Sequence, residues 1–114
     1  MKIICEEQKP VYCLNPTHLE ILHYQSLSDK KFKCIVHLFS NILHLNLNLS
    51  IGFSDKILKR IAKSYSNLKY LNLRKRYDDR LITDKGLYAI ANSCHKLEYL
   101  NISYHKEFSL FTVI

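Results

Sequence analysis

A 20-residue unit occurs three times in this chain, each time opened by Ser/Thr-Asp-Lys. The copies begin at Ser28, Ser54 and Thr83. They read SDKKFKCIVHLFSNILHLNL, SDKILKRIAKSYSNLKYLNL and TDKGLYAIANSCHKLEYLNI, and align without a gap. Such a repeat constrains the architecture before any single residue does, because one unit cannot bury its apolar face alone and must stack on its neighbours. The expected product is an α/β solenoid, a short arc whose work is to present a surface.

Each unit has two halves with different periods. In the first, apolar residues fall at offsets 4, 7, 8 and 11 from the opening hydroxyl residue: Phe32, Ile35, Val36, Phe39; Leu58, Ile61, Ala62, Tyr65; Leu87, Ile90, Ala91, Cys94. This i, i+3, i+4, i+7 spacing is one stripe of an α-helix. Ser28, Ser54 and Thr83 stand where an N-cap hydroxyl is wanted, and Asp29, Asp55 and Asp84 follow in the first turn, where negative charge suits the helix dipole. The column therefore reads as capping and not as a catalytic Ser-Asp pair. Helices are expected near 29–39, 55–65 and 84–94.

The second half is L-x-x-L-x-L, carried by Ile42, Leu45 and Leu47, by Leu68, Leu71 and Leu73, and by Leu97, Leu100 and Ile102. Its closing period of two predicts a short strand with alternate residues buried. Strands are expected near 42–47, 68–73 and 97–102. An earlier strand near 19–24 is read from Leu19, Leu22 and Tyr24, which makes the steps between successive strands 23, 26 and 29 residues. Right-handed stacking would put a parallel sheet on the concave side and helices on the convex side. Residues 16–114 are assigned to the repeats and 1–15 to a partial or degenerate N-terminal segment. Phe108-Ser109 restarts the pattern, but neither end carries a polar cap, so the chain is expected to be a fragment of a longer array or a degenerate copy of one.

Around Ile82–Ile102 (ITDKGLYAIANSCHKLEYLNI), in LKYLNL and in the 26-residue step, the chain resembles the cysteine-containing leucine-rich repeats of F-box and ribonuclease-inhibitor-like proteins. The resemblance covers roughly residues 16–109. It departs in one column: the cysteine usual after the strand should fall near Ser50, Arg76 and His105, and none is Cys. In that family an N-terminal F-box docks on a cullin-type (SCF) ubiquitin ligase and the repeats hold the substrate. Only 18 residues precede Leu19, too few for an F-box, so the resemblance implies the substrate-holding half without the docking segment. By analogy alone, the expected partner is a protein destined for ubiquitin-dependent degradation.

The x residues flanking the second Leu of each strand are expected on the concave face, in three columns: Ile21, His44, Tyr70, Tyr99; His23, Asn46, Asn72, Asn101; and Gln25, Asn48, Arg74, Ser103. The candidate partner-binding set is His44, Asn46, Asn48, Tyr70, Asn72, Arg74, Tyr99, Asn101 and Ser103. Tyrosines with polar tips suit an interface; Asn in L-N-L equally suits internal bonding along a stack.

No enzyme is read. Six histidines and four cysteines show no metal-finger or HExxH spacing. Cys94 lies in the buried stripe, where a thiol is inert. Two glycines, Gly52 and Gly86, cannot build a phosphate-cradling loop; Gly86 is expected to serve close packing. No catalytic, cofactor or metal residue is therefore expected. No apolar run is long enough for a membrane span, no signal peptide opens the chain, and the cysteines fit no disulfide framework, so a cytoplasmic or nuclear setting is expected. The net charge of +7 supports a second function, binding of nucleic acid or an anionic surface through the basic helices, with Lys30, Lys31 and Lys33 in one unit and Lys56, Lys59, Arg60 and Lys63 in the next, and through the Arg74–Arg80 loop. A truncated repeat with no function of its own is the third possibility.

Overall fold

The structure, a computed structural model, describes residues 16–74 and 82–102. Four parallel strands, β1 (His18–Glu20), β2 (His44–Asn46), β3 (Tyr70–Asn72) and β4 (Tyr99–Asn101), form one sheet in chain order. A ten-residue helix precedes each of the last three: α1 (Asp29–Leu38), α2 (Asp55–Ser64) and α3 (Asp84–Ser93). The chain is thus α/β. A parallel pair needs a crossover, and the helix half of each unit supplies it. No described helix is long and apolar enough to cross a membrane.

One face of the sheet meets the helices. Leu45, Leu71 and Leu100 turn inward and join Ile35, Ile61 and Ile90 in a single core, all at most 2% exposed. The helix stripes largely follow the apolar offsets, although Phe39 of the first stripe is only half-buried. Val36 is only half-buried, Ala91 is exposed, and Leu38 and Ile57 are buried although the stripe omitted them. Ala62 is covered because α3 packs on α2. The equivalent position on α3, Ala91, has no described element beyond it. Gly86 permits that close helix contact. A Cβ there would overlap Asp55 Oδ1 and lie 2.9 Å from Leu58 Cδ2.

The first strand lies three residues earlier than its leucines suggest. Leu19, not Leu22, pairs with Leu45, so Leu19, Leu45 and Leu71 follow at 26-residue steps and only Leu100 at 29. The first unit is therefore Pro16-x-x-Leu19-x-Ile21. Ile21 is fully buried in the core, while Leu22 is half-buried and Tyr24 packs, half-buried, against the core's margin. The turn after the strand agrees: His23 and Leu49, 26 residues apart, both adopt left-handed backbone at φ 56° and 60°. A leucine there is strained, and the Leu49 N–H bond to the Arg74 carbonyl at 2.7 Å holds it.

Hydrogen bonds between units fix this stacking. Each N-cap hydroxyl accepts from its own helix: Ser28 from Lys31 N, Ser54 from Lys56 N and Thr83 from Lys85 N. Two of them also donate backward. Ser54 Oγ donates to the Asp29 carboxylate at 3.3 Å. Thr83 donates to Asp55 through its N–H at 2.8 Å and its hydroxyl at 2.5 Å. Asp29 and Asp55 therefore clamp the next unit as well as favouring their own helix dipole. Ser50, where the resemblance expects cysteine, is fully buried. Its hydroxyl donates to the Ile21 carbonyl at 2.5 Å and accepts from Tyr24 N–H at 3.0 Å. At the helix C-termini the Tyr65 hydroxyl donates to the Phe39 carbonyl at 2.6 Å, and the Cys94 thiol to the Tyr65 carbonyl at 3.5 Å. Among the described residues every buried side-chain nitrogen and oxygen has a partner. Arg76, His105, Phe108 and Ser109, like residues 1–15, lie outside the described residues.

Two predictions follow from this packing. Leu71→Asp places a charge in the core and should exceed the about 2–5 kcal/mol expected of Leu71→Ala, abolishing the thermal transition seen by far-UV circular dichroism; a folded Leu71→Asp protein would mean the strand faces are reversed. Tyr65 gives a pH signature. Burial pushes its phenol above the ordinary value of 10.0, so its contribution is complete below that pH. Above it the unfolded chain loses the proton first, and stability falls as pH rises. Tyr65→Phe should cost about 1–3 kcal/mol near neutrality, by orphaning the Phe39 carbonyl, and should flatten that alkaline decline in urea titrations.

Candidate functional site

The face of the sheet turned away from the helices is built by the strand register. In each strand the residues either side of the buried leucine point the same way, and parallel pairing lines them up across strands. His18, His44, Tyr70 and Tyr99 form one column, and Glu20, Asn46, Asn72 and Asn101 the next.

The first column is a continuous stack of four rings. His18 and His44 centroids are 3.9 Å apart, His44 and Tyr70 3.8 Å, and Tyr70 and Tyr99 4.4 Å, with planes within 12° of parallel. Aromatic pairs left to themselves prefer offset or edge-to-face arrangements. Here the sheet sets the spacing, and the rings close like pages. Their faces cover each other, so edges and polar tips meet solvent. Tyr99, on the last described strand, is 41% exposed.

The second column is partly committed to its own chain. Asn46 Oδ1 accepts from Asn48 N–H at 3.0 Å, and Asn72 Oδ1 from Arg74 N–H at 2.9 Å. Each thus closes the turn after its strand, as Asn does in Asx-turns. Asn46 Nδ2 donates to Glu20 Oε2 at 3.2 Å, Asn72 Nδ2 to the Tyr70 hydroxyl at 3.5 Å and Asn101 Nδ2 to the Tyr99 hydroxyl at 3.4 Å. Asn72 is 7% exposed.

His44, Asn46, Tyr70, Asn72, Tyr99 and Asn101 therefore share one face. Asn48 and Arg74 lie just past their strands and are half-buried. Ser103 lies outside the described residues. The first-unit members of the three columns are corrected by the register: Ile21 is core, and exposed His23 and Gln25 lie in the turn beyond β1, where Gln25 Nε2 donates to the His23 carbonyl at 3.5 Å. His18 and Glu20 occupy the first two columns instead.

Those two residues are what the sequence reading missed. Pro16 stands where the other units carry Ile42, Leu68 and Leu97, and it disguises the motif, while Leu19-x-x-Leu22-x-Tyr24 imitates it three residues later. Comparison of THLEI at 17–21 with LHLNL at 43–47 would have placed His18 over His44. Proline is tolerated at the start of an edge strand, where its missing N–H costs no ladder bond.

Electrostatically the N-terminal edge of this face differs from the rest. His18 Nε2 lies 3.7 Å from Glu20 Oε2. Burial, and then the neighbouring His18, hold the His44 imidazole below its ordinary value of 6.5, with Glu20 pulling weakly the other way. Burial pushes the Cys94 thiol up, consistent with a packed, unreactive side chain.

On the helix side, Lys56, Lys59, Arg60 and Lys63 of α2 line a shallow depression of about 310 Å³ with Asp29 and Ile57. Lys31 is turned away from it, its ammonium 4.9 Å from the Tyr24 ring centre and donating to the Tyr24 hydroxyl at 3.0 Å.

No protein-family model matches this chain, and no curated protein shows significant similarity to it.

Tyr70 sits at the middle of the ring stack, between His44 and Tyr99. Tyr70→Leu should preserve the far-UV spectrum, diminish the near-UV tyrosine signal by more than one residue's share, and cost about 0.5–1.5 kcal/mol beyond the lost area in thermal melts.

Proposed function

We propose that the chain is a short leucine-rich-repeat solenoid that binds a protein partner through the concave face of its sheet. The single observation behind this reading is the ring stack His18–His44–Tyr70–Tyr99, which runs across all four described strands on the side that none of the described helices covers. Rigid aromatic side chains with polar tips give large contact area at small entropic cost, and tyrosine is enriched among binding hot spots. Since the asparagine side chains already bond within the chain, the ring edges and the Tyr70 and Tyr99 hydroxyls carry the contact. By resemblance of the repeat, the partner is a ubiquitination substrate, and the chain is the recognition half of an F-box-like system. The reading is non-enzymatic and asks for no cofactor.

The basic depression on α2 supports a second reading, binding of nucleic acid or an anionic surface. Phosphate contacts release counterions, so that binding would weaken steeply with salt. Contact through the ring stack would change little.

The two readings separate in one experiment. The tagged chain and its Tyr70→Ala/Tyr99→Ala variant are used for affinity capture from native cell extract at low and moderate salt, with mass spectrometry of what is retained. The protein-binding reading expects a small set of proteins that survives moderate salt and is depleted about tenfold or more by the double substitution, the variant keeping its far-UV spectrum. Cullin-ligase subunits in that set would support the ubiquitin setting. Retention of chaperones alone by the intact chain, or capture indifferent to the two tyrosines, would overturn it.

A further inference from the structure

The edge of the sheet brings together a set of side chains that protein binding does not require. His18 and Glu20 are two residues apart on one strand and so share a face; His44 is the direct cross-strand partner of His18. A ring nitrogen of each histidine and a carboxylate oxygen of Glu20 all lie within 4.8 Å of one another. The geometry points to a transition-metal site formed by His18, Glu20 and His44, of the two-imidazole, one-carboxylate kind that takes Zn²⁺ and leaves a position for water.

Four observations bear on it. The donor set is one that zinc accepts, with three protein ligands and an open fourth position. Its backbone is fixed, because both strands are locked in register by ladder bonds from Leu43 N–H and His44 N–H to the Thr17 carbonyl at 2.8 and 3.0 Å, and from Ile21 N–H to the Asn46 carbonyl at 2.8 Å. Glu20 is already oriented: Asn46 Nδ2 holds one carboxylate oxygen at 3.2 Å, as supporting residues commonly hold a ligating carboxylate. Access is open, since the His18 and Glu20 side chains are 54% and 47% exposed.

Ligation requires a small rearrangement. A tetrahedral ion with bonds of about 2.0–2.1 Å needs donor atoms roughly 3.3 Å apart. Near-parallel imidazoles cannot both aim in-plane lone pairs at one ion, so the two rings must splay about their side-chain torsions. The His18–His44 stack is given up, while Tyr70 still limits the swing of His44 from its other side. A site that gives up a stack to bind is of modest affinity. This inference goes beyond protein binding: its ligands lie on β1 and β2, whereas the contact hydroxyls are those of Tyr70 and Tyr99 on β3 and β4.

The test is titration of the full chain with zinc chloride near neutral pH, followed by calorimetry and by ¹H–¹⁵N NMR of the imidazoles. The expected result is one ion per chain, with His18 and His44 the first ring nitrogens to shift. His18→Phe and His44→Phe keep a ring in the stack and remove the donor; each should weaken binding by more than the 10–100-fold typical of losing a supporting residue. Glu20→Gln should also weaken it, and keeps the test open should a ring replacement disturb the sheet. His37→Ala and His95→Ala should leave it unchanged. Absence of binding, shifts confined to other histidines, or affinity that survives both Phe replacements and Glu20→Gln would overturn the assignment.

Discussion

Polar groups at the junctions of this fold are satisfied by the neighbouring unit. Asp29 reaches Ser54, Asp55 reaches Thr83, Ser50 reaches back to Ile21 and Tyr24, and Tyr65 to Phe39. An unpaired buried polar group costs on the order of 1–3 kcal/mol, so separating two units forfeits these bonds along with the shared apolar core. The same contacts that let a unit fold thus set its distance and rotation relative to the next. Strand register is a consequence of this clamping, and the outward columns are a consequence of register.

The outward face inherits its character from that spacing. Rings placed on adjacent parallel strands have little choice of geometry and close into a stack. Asn46 and Asn72 beside them have short side chains that reach the backbone two residues on and close the turns after β2 and β3. A column that alternates rings with committed amides leaves few free acceptors and many ring edges. This is why contact specificity is assigned to the tyrosines, and why the histidine end, the only part of the described columns with a carboxylate beside two imidazoles, carries a separate chemistry.

Much of this was legible in the residues. The change of period from 3.6 to 2 marked helix and strand in each unit, the Ser/Thr-Asp column marked the caps, and the tyrosine and asparagine columns followed from the strand pattern. Three things were not. The clamps from Asp29 to Ser54 and from Asp55 to Thr83 join residues 25 and 28 positions apart, and nothing local distinguishes them from a dipole effect. The exposure of Ala91 and half-burial of Val36 depend on which helix flanks which, a tertiary matter. The first strand was misplaced because leucines at 19 and 22 satisfied the motif while Pro16 broke it at its true start. That three-residue slip put Ile21 on the surface and hid His18 over His44.

The step from β3 to β4 is three residues longer than the two before it, yet Tyr70 still meets Tyr99 and Leu71 still meets Leu100. The additional residues fall between Leu73 and Ile82, and the ladder absorbs them without shifting a pair. Pairing is therefore independent of step length: the ladder and the leucine that each strand buries choose the partner, so units of unequal length can share one sheet and one outward face.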